Sequence, residues 1–182
     1  MTDTLTTTSR KTMNVSFALP DAATAADSAL AEALASCARK MHLADAGAVL
    51  THLQRGDRTA RAYFEYDLAQ RVAEHLGALD EEVRAVYLYD AEATPEDSVF
   101  GEVAPSLIHL IVWAQRETKA LNSLIVALER ALVQRYAERI GAPGLMCLLD
   151  TQIVDDAQVN ARTGYGALLA SLHHRPVQVW KR

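Results

Sequence analysis

The sequence is poor in cysteine, and this excludes two classes of protein. Of its 182 residues only two are cysteines, Cys37 within a helical pattern and Cys147 within an apolar stretch. Two such separated thiols cannot form a disulfide framework or supply the ligand spacing of a zinc site. We therefore interpret both as small residues of the hydrophobic core.

Long apolar runs and an excess of positive charge are also missing. No stretch approaches the roughly 18 uninterrupted apolar residues of a membrane span, and the N-terminus lacks a secretory signal pattern, so we predict a cytoplasmic protein without membrane contact. The net charge of −5 gives no broad cationic field for nucleic acid, and no nucleic-acid partner is expected. The basic stretch 55–61 contains Asp57 and is followed by Glu65, which is typical of a solvated helix face rather than a phosphate site.

The rest of the composition is typical of a globular protein, with 50% hydrophobic and 23% charged residues. The first residues are rich in threonine and lack periodicity, and we predict a flexible tail over residues 1–20. A helical layer is predicted over residues 21–80 and an α/β core over residues 81–182. Residues 21–182 are expected to form one compact unit.

Three helices are predicted in the helical layer, because apolar residues recur there at spacings of three and four. The second helix is expected to end at Gly56. The third is expected to start at a capping Asp57 and to end at Gly77. The three predicted helices cover residues 21–41, 43–54 and 57–77.

Four strands and a long helix are predicted in the α/β core. The helix covers residues 118–140, has nearly ideal apolar spacing and ends at Gly141. Asp155 or Asp156 is expected to cap a further, interrupted helix. The fold class is therefore α/β, or α+β, with N-terminal helices packed on a mixed sheet of about four strands. The strands are predicted over residues 83–89, 106–113, 145–149 with an extension to 154, and 177–180.

The strand over residues 106–113 is the centre of this arrangement. Its apolar residues are consecutive rather than alternate, which is typical of a strand covered on both faces. His109 is therefore expected to lie deep, as a neutral hydrogen-bonded core residue or, alternatively, as a ligand or proton shuttle. The connection before the strand is long and carries Asp90, Glu92 and Glu102, and long loops in compact domains are often functional.

Two stretches resemble strands of the nucleotidyltransferase superfamily. Val86-Tyr87-Leu88-Tyr89 resembles the strand that leads to the phosphate-binding turn. Ser106-Leu107-Ile108-His109-Leu110-Ile111-Val112 resembles the next strand, with Leu107 and His109 in place of the metal-binding aspartates. Asp150 matches the approximate place of the family's third acid, with Asp155 as the alternative. The resemblance covers about residues 83–156 and implies a degenerate nucleotidyltransferase-like core.

The departures from the family pattern determine the predicted function. Leu107 cannot bind a metal ion, and an imidazole at His109 suits transition metals better than magnesium. We predict a non-catalytic scaffold or a ligand- or protein-interaction module without a cofactor, whose partner is a protein, a second copy of this chain or a nucleotide. The alternative is a nucleotidyltransferase-type enzyme with a displaced Mg²⁺ or Mn²⁺ site. The ligand-binding candidates are Asp90, Glu92, Glu102 and His109, the catalytic candidates are His109 and Asp150, and the metal candidates are Asp150 and Asp155.

Overall fold

The computed structural model of the protein describes residues 19–89, 107–171 and 175–182. These ranges contain six helices and four strands, and three of the helices precede the first strand. The predicted α+β class, with N-terminal helices and a mixed sheet of four strands, is confirmed. The elements are α1 (Leu19–Lys40), α2 (Ala46–Gln54), α3 (Arg58–Leu79), β1 (Val83–Tyr89), β2 (Ile108–Ala114), α4 (Lys119–Ile140), β3 (Leu149–Asp155), α5 (Asp156–Ala161), α6 (Tyr165–Leu169) and β4 (Val177–Lys181).

The four strands form one sheet in the order β3-β2-β1-β4. β1 pairs antiparallel with both β2 and β4, whereas β2 and β3 are parallel. A parallel pair requires a long crossover connection, and α4 lies in the connection between β2 and β3. The predicted central strand is thus an inner strand between β1 and β3.

The N-terminal helices bury the apolar rows that the sequence pattern predicts. α1 packs against α3 and α4, and α3 starts at the predicted cap, Asp57, whose side chain accepts hydrogen bonds from the backbone N–H groups of Thr59 and Ala60. No helix in the described ranges is both long enough and apolar enough to cross a lipid bilayer. The apolar row of α3 is at most 2% exposed and consists of Ala60, Phe64, Leu68, Val72 and Leu76.

Gly77 does not end α3, contrary to the prediction, because the helix continues to Leu79. The side chain of Trp180, on β4, lies against the helix at Gly77. A glycine at this position therefore allows α3 and β4 to pack closely, and it does not terminate the helix.

One hydrophobic core lies between the helices and one face of the sheet. The opposite face of β2 is less well covered than predicted at His109, whose side chain is 28% exposed, although Ile111 on the same face is 1% exposed. The expectation that His109 lies deep is therefore wrong. α5 and α6 pack against β3 but have only six and five residues, which is too short to cover the whole face. The core-facing residues of β2 are at most 2% exposed: Ile108, Leu110, Val112 and Ala114.

The third strand corresponds to the predicted extension to residue 154, whereas the first part of the prediction, residues 145–148, is not a strand. β3 begins at Leu149, the register partner of Ile108, which is the first residue of β2, and residues 145–148 precede this register. The backbone oxygen of Leu148 accepts a 2.9 Å hydrogen bond from the N–H of Ile108, but residues 145–148 have no register partner on β2 and are not part of the strand. Cys147 in this run is exposed, which makes its interpretation as a core residue wrong, whereas Cys37 is buried as predicted.

Candidate functional site

A histidine and a carboxylate meet on the face of the sheet opposite the core. His109 and Asp150 are register partners on the parallel strands β2 and β3, so their side chains stand side by side. His109 Nδ1 lies 3.0 Å from Asp150 Oδ2, and Gln152 Nε2 donates a hydrogen bond of 3.0 Å to Asp150 Oδ1. The structure thus brings the two catalytic candidates together.

The His109–Asp150 pair lies in a small cleft of about 110 Å³. The side chains of His109 and Asp150 are 28% and 41% exposed, so solvent reaches both. When Nδ1 carries the proton and donates its hydrogen bond to Asp150, Nε2 of the neutral imidazole is free to act as an acceptor. This arrangement suits proton transfer or a hydrogen bond to a small ligand. The cleft is lined by Tyr89, His109, Leu110, Ile111, Asp150, Gln152 and Tyr165.

Asp155, the second metal candidate, is a helix cap. Its side chain accepts a 2.8 Å hydrogen bond from the backbone N–H of Gln158, and the Gln158 side chain accepts one from the backbone N–H of Asp155. This reciprocal capping box satisfies the free amides at the start of α5. The neighbouring Asp156 accepts a 2.8 Å hydrogen bond from Trp113 Nε1. Both carboxylates thus have structural hydrogen bonds.

A magnesium site does not fit the described residues around His109. Within residues 19–89, 107–171 and 175–182, no group of three or more His, Cys, Asp and Glu side chains is placed to hold a metal ion. His109 and Asp150 offer one imidazole nitrogen and one carboxylate, whereas Mg²⁺ prefers a shell of oxygen ligands. The remaining ligand-binding candidates, Asp90, Glu92 and Glu102, lie outside the described residues.

A much larger cavity, which the sequence analysis did not identify, lies beside Ile108 at the start of β2. Its volume is about 690 Å³. We call it the apolar cavity, because most of its lining side chains are hydrophobic. It is lined from α2 and α3 by Leu53, Gln54, Arg61, Phe64 and Glu65, from β2 and the residue before it by Leu107 and Ile108, from α4 by Tyr136 and Ile140, and from the following segment by Ala142, Gly144, Leu145, Met146, Cys147 and Leu148.

Polar side chains hold two parts of the lining of the apolar cavity: Glu129 holds the segment after α4, and Gln54 holds the end of α4. The carboxylate of Glu129, on α4, accepts hydrogen bonds from the backbone N–H groups of Leu148, at 2.8 Å, and Leu149, at 3.0 Å. Burial raises the pKa of the Glu129 carboxyl, although the two backbone donors act in the opposite direction. Gln54 Nε2 donates a 2.9 Å hydrogen bond to the backbone oxygen of Ile140. These contacts connect the cavity wall to α4 and α2.

The apolar cavity also has a polar side. The Tyr136 side chain stacks on Phe64 with ring centroids 5.3 Å apart, and burial raises the pKa of Tyr136 to about 12. Arg61 lowers this pKa and Glu65 raises it, so both charges lie close enough to act on the phenol. The phenol therefore remains protonated at neutral pH, and Arg61 and Glu65 line the same cavity.

One signal in the sequence could have indicated the apolar cavity. The apolar run 145–149 follows three turn-forming residues, Gly141, Pro143 and Gly144, and shows neither strand alternation nor helical spacing. A consecutive apolar run also fits a buried strand, as it does for residues 106–113, so only the preceding turn-forming residues point to an irregular segment here. Its partners on α2, α3 and α4 could not be inferred, because they come from distant parts of the chain.

Comparisons with known proteins do not assign this chain to a family. No family model matches it, and no significant match is found among curated proteins or among solved structures. The resemblance to nucleotidyltransferases therefore stays a prediction.

Proposed function

We propose that this chain is a non-catalytic ligand-binding module and that its ligand is a small, mostly apolar molecule bound in the apolar cavity. The observation that carries the proposal is the size and lining of that cavity. Its volume of about 690 Å³ falls within the range of roughly 300–1,000 Å³ that is usual for small-molecule sites. Such sites are typically lined by hydrophobic side chains with a few polar groups, and this cavity has the same composition.

Exposed apolar side chains at the cavity support this proposal. Met146 is 87% exposed and Leu107 is 38% exposed. A bound apolar molecule would remove part of this surface from water, and each Å² of apolar surface so buried contributes about 25 cal/mol. Binding there would therefore have a hydrophobic driving force without any covalent chemistry.

A neutral fluorescent probe, N-phenyl-1-naphthylamine, tests the proposal by titration into the full chain. Gly144 provides a blocking variant, because a Cβ at this lining position would meet no atom within 4 Å. Gly144→Phe adds a bulky side chain at the cavity, and Gly144→Ala is the matched control at the same site. Circular dichroism and thermal melting establish that both variants fold.

We expect saturable, one-to-one probe binding to the wild type and to Gly144→Ala, and at least a ten-fold weaker affinity in Gly144→Phe. Equal affinity in all three proteins would place the probe elsewhere and contradict the proposal. An absence of saturable binding would also contradict it. If probe binding is absent, light scattering shows whether a second copy of the chain covers the cavity. That outcome requires the wild type to be a dimer and Gly144→Phe to be a monomer.

A second candidate function is supported by the His109–Asp150 contact. These residues stand at the positions where the nucleotidyltransferase resemblance implies the second metal-binding acid and the third acid. The alternative is therefore an enzyme of nucleotidyl-transfer type, with a metal site displaced toward the carboxylates of residues 90–102. In this alternative His109 and Asp150 would bind or position the nucleotide.

Thermal shift distinguishes the two functions. A nucleotide that binds only the folded chain must raise the melting temperature, by an amount that depends on its concentration relative to Kd. If the chain is the enzyme, ATP should raise the melting temperature in a saturable way that requires Mg²⁺ or Mn²⁺ and is lost in Asp150→Asn. The ligand-binding module predicts no metal-dependent rise with ATP. A rise of this kind would favour the enzyme.

A further inference from the structure

The charges around Tyr136 restrict the chemistry of the ligand, and this inference rests on the proposed function. Arg61 and Glu65 both line the apolar cavity and lie one turn apart on α3. Both are partly buried, and Tyr136 is only 7% exposed. The polar side of the cavity therefore combines one positive charge, one negative charge and a neutral phenol.

An ionised ligand group would not be favoured at this place. A carboxylate beside Arg61 would also face the negative charge of Glu65, and an ammonium beside Glu65 would face Arg61. The two contributions oppose each other, while the ligand group still loses hydration on entering the cavity. A neutral hydroxyl or amide loses less hydration and can exchange hydrogen bonds with these polar side chains, because a phenol both donates and accepts.

We propose that the ligand is an uncharged amphiphile, with an apolar body and one neutral hydrogen-bonding group placed beside Tyr136, Arg61 and Glu65. The apolar body contacts the hydrophobic lining contributed by Leu53, Ile140 and Leu145. Long-chain alcohols and primary amides have this chemistry. Fatty acids and alkylamines of the same length have the same apolar body but a charged head group at neutral pH, a carboxylate or an ammonium.

Competition with the bound fluorescent probe tests this inference at pH 7. Decan-1-ol, decanoate and decylamine are compared as competitors, decan-1-ol below its solubility limit and the other two below their critical micelle concentrations. We expect decan-1-ol to compete best with the wild type. Glu65→Gln removes the negative charge and should shift the preference toward decanoate, whereas Arg61→Gln should shift it toward decylamine. Each shift is expected to be up to roughly five-fold, the range of a partly exposed ion pair.

The double variant Arg61→Gln, Glu65→Gln is the matched control. It has no net change in charge relative to the wild type and should again prefer decan-1-ol. If decanoate or decylamine competes best with the wild type, the inference fails although probe binding, and hence the proposed function, is retained. If the wild type does not bind the probe at all, the proposed function itself fails. If the single variants do not fold, the order of the three competitors on the wild type still decides the question.

Discussion

The indole of Trp180 occupies the space in which a Cβ on Gly77 would lie. A Cβ built on Gly77 would be 2.2 Å from Cζ2 and 2.3 Å from Cη2 of the indole, far closer than non-bonded carbon atoms approach. This contact joins α3 to β4, which are far apart in the chain: six other elements of the described ranges lie between them. The glycine therefore fixes how closely the helical layer approaches the edge of the sheet.

Gly77→Ala is expected to destabilise the protein by about 1–3 kcal/mol, because the added methyl group forces the indole to move. In a Trp180→Leu background the same change should be neutral or stabilising by up to about 1 kcal/mol, since alanine is the better helix former. Urea unfolding of the four proteins of this cycle measures both effects. A cost for Gly77→Ala that persists without the indole would mean that the contact is not its cause.

Glu129→Ala is expected to destabilise the protein by about 1–3 kcal/mol, because the backbone N–H groups of Leu148 and Leu149 lose their acceptor. It should also weaken probe binding to the apolar cavity, since the wall segment is no longer held to α4. Arg130→Ala, at the exposed neighbouring position of α4, is the control and should change neither quantity by much. Unchanged stability in Glu129→Ala would show that these hydrogen bonds are not important in solution.

The pKa of Glu129 gives the sign of a pH dependence. Burial raises this pKa in the folded protein, so between the ordinary carboxyl value and the raised value the folded state binds more protons than the unfolded state. The contribution of Glu129 to stability is therefore complete at acidic pH, below about 4, and is lost as pH rises through the raised pKa. Relative to Glu129→Gln, the wild type should lose stability over this interval in urea titrations, and a relative gain would contradict the assignment.

Adjacent residues on β2 should respond very differently to truncation, because they face opposite sides of the sheet. Leu110 is 1% exposed, and Leu110→Ala is expected to cost about 2–5 kcal/mol. His109 is partly exposed and paired with Asp150, so His109→Ala should cost only about 1 kcal/mol. A cost of several kcal/mol for His109→Ala in urea unfolding would mean that His109 is a core residue after all.

Arg182 connects the end of β4 to the end of α3. Its guanidinium donates hydrogen bonds to the backbone oxygens of Val83, at 3.0 Å, and Asp80, at 3.1 Å, and also to that of Gly77. Arg182→Ala is expected to destabilise by about 1–2 kcal/mol, because a cation near a helix C-terminus and its hydrogen bonds are lost together. Lys181→Ala, at the exposed neighbouring position, should cost less than about 0.5 kcal/mol in the same thermal or urea experiment. Equal costs would contradict a specific role for Arg182.

The two thiols should differ strongly in reactivity. Cys147 is exposed, whereas Cys37 is buried and its pKa is raised, first by burial and then by the negative charge of Asp67. Ellman's reagent is expected to modify one thiol of the native protein quickly and the second only on unfolding, and Cys147→Ser should abolish the fast phase. Two equally fast thiols would contradict the placement of Cys37.

The sequence was sufficient for those parts of the fold that depend on local periodicity. The row on α3 and the Asp57 cap follow from i, i+4 spacing and from the chemistry of a helix N-terminus, and both are confirmed. β1 was predicted with its observed bounds because its residues combine alternation with aromatic content. Local patterns of this kind need no knowledge of distant residues.

The errors occurred where a local pattern has more than one tertiary outcome. A glycine after an apolar row predicts a helix end at Gly77, but in the structure Gly77 lies within α3 and the indole of Trp180 packs against it. The apolar run 145–149 has the composition of a strand, but only its last residue, Leu149, pairs with β2, because β2 begins at Ile108, the register partner of Leu149. His109 reads as a core residue, but the short helices α5 and α6 leave its face of the sheet partly open.

By itself the sequence determined the α+β class, most helix boundaries and the central position of β2, because these depend on which residues are apolar and at what spacing. Only the tertiary structure decided that His109 meets Asp150, since the parallel register of β2 and β3 is set by packing across a helical crossover. The same holds for the apolar cavity. Its walls come from three helices, one strand and one irregular segment, and their separation in space depends on how well all of them pack together.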